Sequence, residues 1–220
     1  MKITKTPRVS NQGDTGFYPE ERLLIRDSIL KLAVKVQEYK KTHGKNTILV
    51  TGCSAGNGAT LIAVDLAIAL SKSGQRTLLV DADLKKNAKS NNQYPDFFEA
   101  NAASAQIVAP SNLPYLDFVP IYTQLEGSAL LLGSNKMAAF IKQAKIHYDY
   151  VIVDCAPVTT SPEASALFFI VDGIALVCSL NYTTKVQLKK AKSIIEPYAD
   201  KYYGVVVNSL SEKYYKRLYM

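Results

Sequence analysis

Apolar positions along the chain switch repeatedly between two periods. From Pro19 to about Lys41, Leu23, Leu24, Ile25, Ile29, Leu30, Leu32, Ala33, Val34 and Val36 recur at helical spacing, with Pro19 near the first turn and Gly44 as the stop. A short β-branched run, Thr47 to Thr51, then predicts a buried strand. After Thr60 ten residues are apolar almost all round, Asp65 excepted, which predicts a buried helix closed by Gly74. Further strands are expected over 76–83, 116–120, 150–154, 173–179 and 204–208, and further helices over 95–108, 135–146, from Ser161-Pro162-Glu163, and from Thr183 or Thr184 to about Glu196. Ser134 or Asn135 is the expected cap of the 135–146 helix, residues 84–94 read as a polar, mobile loop, and residues 121–134 read as irregular. Strands alternating with helices imply an α/β fold, a mostly parallel sheet with helices on both faces.

Composition narrows this only a little. The 220 residues are 48% apolar and 20% charged, enough for one α/β domain with a core of its own. We read residues 1–18 as a flexible arm or extended segment, 19–208 as the domain and 209–220 as a basic, tyrosine-rich tail. Cys53, Cys155 and Cys178 are widely spaced in or beside apolar runs, so buried reduced thiols are expected, with neither metal nor disulfide spacing. The first residues lack the apolar core of a leader and no run reaches spanning length, which points to a cytoplasmic protein. The formal charge of +7 comes from scattered lysines and reads as a solvated surface, with no nucleic-acid partner expected.

The candidate chemistry gathers at strand ends. Between the first strand and the buried helix lies Gly52-Cys53-Ser54-Ala55-Gly56-Asn57-Gly58-Ala59-Thr60, a small-residue turn in the layout of a phosphate-binding loop. Gly52 and Gly58 take the glycine positions of G-x-x-x-x-G-K-[ST] and Thr60 the hydroxyl position, while Ala59 fills the lysine slot. Two later strands close on carboxylates, Asp81 with Asp83, and Asp154. In open parallel sheets ligands sit beyond these ends. Asp154 and the Thr60 hydroxyl suit a Mg²⁺ ion shared with phosphate oxygens, and Asp81 or Asp83 suits a second carboxylate or a proton acceptor. Taken singly, each aspartate is as well explained as a cap of the next turn.

VTGCSAGNGAT, TLLVDADLKK and YDYVIVDCAPV together resemble the Walker A, Walker A′ and Walker B set of the bacterial tyrosine kinases (BY-kinases), the CpsD, CapB and Wzc-like domains of capsule and exopolysaccharide export. The likeness runs from about Pro19 to Asn208, and MinD/ParA-type ATPases share the fold. The resemblance implies Asp81 and Asp83 as catalytic carboxylates. It implies nucleotide contacts from Gly52, Ser54, Ala55, Gly56, Asn57, Gly58, Ala59, Thr60 and Leu61, with Asn208 near the adenine. It implies metal ligation by Thr60, Asp81 and Asp154, ATP or ADP with Mg²⁺ as cofactors, and phosphorylation of Tyr214, Tyr215 and Tyr219. It further implies a membrane adaptor of the polysaccharide chain-length-determinant type as partner, a place at the inner face of the cell membrane through that adaptor, and a homo-oligomer.

Three departures modify those expectations. Ala59 replaces the Walker lysine, and Ser54 stands where MinD-type proteins carry their signature lysine. The oligomerisation pattern E-x-x-R-x-x-R aligns with Glu20, Leu23 and Arg26, so its middle arginine is gone. Losing one charge-assisted contact costs about 1.5–3 kcal/mol, or about 10- to 150-fold in nucleotide affinity. Losing a group that stabilises transition-state charge costs about 10²–10³ in rate. The expected function is therefore a BY-kinase-like regulator of polysaccharide polymerisation or export with weak or absent kinase activity. The alternatives are an active tyrosine autokinase and a MinD/ParA-like positioning protein.

Overall fold

The computed structural model describes residues 20–84, 96–98, 107–123 and 127–208. The expected arm, Tyr214, Tyr215 and Tyr219 of the tail, the 85–94 loop and the side chains of Glu20, Leu23 and Arg26 lie outside the described residues.

In chain order the elements are α1 (Glu20–His43), β1 (Thr47–Gly52), α2 (Ala59–Lys72), β2 (Thr77–Asp81), β3 (Ala109–Pro110), β4 (Leu116–Pro120), α3 (Ser128–Leu132), α4 (Asn135–His147), β5 (Tyr150–Cys155), α5 (Pro162–Leu167), β6 (Gly173–Ser179), α6 (Lys185–Ile195), a 3₁₀ helix (Glu196–Lys201) and β7 (Tyr202–Asn208). The sheet order is β3-β4-β2-β5-β1-β6-β7, parallel except for the short β3. β1, β5 and β6 are buried on both faces, which is why they read as unbroken apolar runs. One core cluster joins Ile48, Val50, Leu79 and Ile152 to α1 and α2. The other joins Leu49, Val80, Val153 and Leu176 to α3, α4, α5 and α6. From β1 the chain first builds outward to β2 and β4, then returns through β5 and crosses to β6 and β7. The strand order thus reverses around β1, and a reversal of this kind opens a crevice at the carboxyl ends.

Helix and strand ends follow local chemistry. α1 stops at Gly44, whose φ of 67° suits a left-handed cap and whose amide returns to the Lys40 carbonyl at 2.8 Å. The Ser134 Oγ accepts from the Met137 amide at the start of α4. Thr184 and Gln187 form a reciprocal capping box on α6.

The structure corrects several expected boundaries. β2 ends at Asp81, so Asp83 lies beyond the strand. The irregular 121–134 stretch contains α3, whose N-cap is Gly127 at φ 83° rather than a polar side chain. α6 ends at Ile195, and a 3₁₀ turn with Pro197 near its start continues from it. β7 begins at Tyr202. Of the helix expected over 95–108, residues 96–98 form a turn in which the Phe98 amide bonds the Asp96 carboxylate at 2.8 Å. The remainder lies outside the described residues, apart from 107–108, which are not helical.

Candidate phosphate-loop site

β1 delivers the chain to the loop, and α2 carries it away. The Cys53 amide donates to the Val177 carbonyl at 2.8 Å, and the Gly52 carbonyl accepts the Val158 amide at 3.0 Å, so the loop leaves the sheet pinned on two sides. The Thr159 hydroxyl adds a bond to the Cys53 carbonyl. Within the loop the Asn57 carboxamide oxygen accepts the Ser54 amide at 2.8 Å and the Ser54 hydroxyl at 3.3 Å. From the last strand the Asn208 carboxamide donates to the Asn57 carbonyl at 3.0 Å. The loop is therefore braced from inside by Asn57 and from the side by Asn208.

Gly52 is the last residue of β1 and stands six places before Gly58, one more than the strict phosphate-loop spacing allows. Counting back from Gly58 puts Cys53 at the first glycine position. Gly52 serves a close approach instead: a Cβ there would lie 3.0 Å from the Ser54 carbonyl oxygen. Gly58 is the N-cap of α2 at φ 83°, and a Cβ on it would come within 2.3 Å of the Asn208 amide nitrogen. Ala55 and Gly56 form the exposed tip of the loop; Thr60 is exposed, Leu61 is buried and Ala59 opens the helix.

The start of α2 has no side-chain cap and no acidic residue in its first turn. Its first intrahelical bond is Ile62 to Gly58, which leaves the amides of Ala59, Thr60 and Leu61 outside the helix ladder. Such amides, together with the helix dipole, suit an anion.

Asp81 and Asp154 are register partners on adjacent parallel strands, and Asp154 in turn pairs with Val50 of β1. Val50, Leu79 and Ile152 face α2, so side-chain alternation puts both aspartates on the α2 face. Asp154 is buried and Asp81 half-buried. Asp83 follows closely, its amide donating to Asp81 Oδ1 at 3.1 Å. Two carboxylates side by side on neighbouring strands repel each other, and a divalent cation relieves that repulsion. Among the described residues no three His, Cys, Asp or Glu side chains form a metal cage. A Mg²⁺ ion fits this setting with one or two carboxylates, a hydroxyl and oxygens brought by a ligand.

Glu163, at the first turn of α5, is buried, which its place in a helix start does not signal in the sequence. Burial pushes the Cys155 thiol well above its usual range, and the charges of Asp154, Asp83 and Glu163 push the same way. All three carboxylates thus lie within electrostatic reach of one buried thiol.

A family model for the AAA domain matches residues 45–210. The tyrosine-protein kinase YwqD of Bacillus subtilis is 30% identical over 219 residues, covering 94% of this chain and 91% of that protein. The tyrosine-protein kinase CpsD of a serotype Ia strain of Streptococcus agalactiae is 29% identical over 208 residues, covering 87% and 90%. Among solved structures, the kinase domain of the Escherichia coli tyrosine kinase ETK superposes with a TM-score of 0.75 at 19% identity, covering 86% of this chain and 76% of that one.

Proposed function

The chain belongs to the bacterial tyrosine-kinase family, and from that premise we propose that it is a member with a weakened phosphate loop: a regulator of capsule or exopolysaccharide polymerisation or export whose own kinase activity is low or absent. The observation that carries this reading is Ala59 at the head of α2, beside a loop and carboxylate pair that otherwise suit a magnesium nucleotide.

In this reading the amides of Ala59, Thr60 and Leu61 hold phosphate oxygens. Asp154, Asp81 and the Thr60 hydroxyl would hold the metal, and Asp83 stays beside Asp81 through its amide bond. Bound Mg²⁺ supplies charge neutralisation on the phosphates. Asp81 or Asp83 would accept the proton of an incoming tyrosine hydroxyl. Without a lysine at residue 59, no side-chain cation on the loop meets the charge that grows on the transferred group. Tyr214, Tyr215 and Tyr219 are the proposed acceptors, and the proposed partner is a membrane adaptor of the chain-length-determinant type that recruits the chain to the inner face of the membrane. Among the described residues no helix is long and apolar enough to cross a membrane.

Calorimetry with ADP and Mg²⁺ on this chain and on Ala59→Lys tests the reading. The variant is expected to bind about 10- to 150-fold more tightly. Anti-phosphotyrosine blotting after incubation with ATP and Mg²⁺ is expected to show little labelling in the natural chain. Strong labelling that disappears in Asp81→Ala would instead establish an active autokinase.

A further inference from the structure

We propose that the exposed side of α6, with the β6–α6 connection and the outer positions of β7, is a docking surface for an anionic phospholipid bilayer. None of the phosphate-loop residues 52–60 contributes to this surface.

Between Gly173 and Ile195 the chain carries no aspartate or glutamate, yet it carries Lys185, Lys189, Lys190 and Lys192. These lysines all belong to α6 and all are exposed, and among the described residues none has an ion-pair partner. The helix is held to the sheet by Ala191 and Ile195, with Leu188 partly buried against the same core, which leaves the lysine-bearing side outward.

Beside the lysines stand exposed apolar side chains. Leu180 is 71% exposed, Tyr182 53% and Val186 76%. Val205 and Val207 of β7 are also exposed. They pair in register with Leu176 and Cys178 and so share the sheet face that α6 packs on. The Leu180 amide bonds the Asn208 carbonyl at 3.0 Å, which ties the connection to the end of that edge strand. Cationic and apolar groups are thus presented together on one side of the molecule.

A polyanion such as DNA or an acidic polysaccharide would use the lysines and leave Leu180 and Val186 wet. A bilayer surface uses both: lysines meet anionic headgroups while aliphatic tips and the tyrosine ring enter the interface. Because α6 starts at the carboxyl end of β6, the surface adjoins the end of the sheet that bears the candidate site.

Co-sedimentation of the full chain with vesicles tests this. The chain is expected to bind phosphatidylcholine vesicles that contain phosphatidylglycerol, not pure phosphatidylcholine vesicles, and to release at high salt. Lys189→Glu/Lys192→Glu is expected to lower the partition coefficient by at least about 25-fold, about fivefold for each lysine lost. Val186→Ser, at an exposed position where circular dichroism is expected to show folding unchanged, is expected to lower it by up to about tenfold at low salt. Failure of the natural chain to bind anionic vesicles overturns the proposal. So does equal binding by both variants, or retention on heparin that Val186→Ser leaves unchanged while vesicles are not bound.

Discussion

Gly58 answers two demands at once. Its φ of 83° disfavours any side chain, and the Asn208 amide occupies the space where a Cβ would stand. Gly58→Ala is therefore expected to lose about 1–2 kcal/mol from backbone strain alone and to displace Asn208 from the Asn57 carbonyl. Urea denaturation checks the first part, and the chemical shifts of the Asn208 side-chain amide protons check the second. The neighbouring Asn57 does its work through its side chain, so the loop keeps its shape by internal bonds. Ala59→Lys accordingly adds a cation to a loop already formed, which is why the affinity gain expected of it is that of one charge-assisted contact.

At the scale of elements, the amino ends of β1 and β6 are joined by a single carboxylate. Asp172 Oδ2 accepts the amides of both Asn46 and Thr47 at 3.1 Å, and Oδ1 accepts Lys145 Nζ at 2.7 Å. Asp172→Ala would strand those two amides and is expected to cost about 1–3 kcal/mol for each that water cannot reach. The urea midpoint measures the loss, and the Lys145→Met variant is expected to cost less because the amide bonds remain. Asp172 gave no signal in the sequence, since its partners lie far away along the chain. The central strands were legible because burial on both faces produces runs such as Val151-Ile152-Val153. The site's glycine turn and its carboxylates were legible because they stand where apolar runs stop. α3 was not, being five residues long and capped by a glycine backbone. The Asn57 brace and the burial of Glu163 are tertiary facts with no local pattern to announce them.

For the molecule as a whole, burial sets an alkaline limit. The Cys53 thiol is pushed up to about 11 from 9.0 by burial, with Cys178 nearby adding to the effect. Tyr203 is pushed up to about 12 from 10.0 by burial, then by Glu38 and Tyr39. Above pH 9 the unfolded chain sheds these protons first, so stability is full below that point and falls as pH rises through about 11 and 12. Thermal melts from pH 8 upward are expected to show that fall, with a shallower slope for Cys53→Ala.

The contact between Asn208 and Asn57 also bears on the order in which the protein takes shape. The loop's carbonyl waits for a partner 151 residues further along, and β1 waits for β5 and β6 to flank it. A nascent chain emerging from the ribosome therefore holds its glycine turn unfinished until β7 has been made. Truncation before β7 is accordingly a more damaging change than its distance in sequence from the turn would suggest.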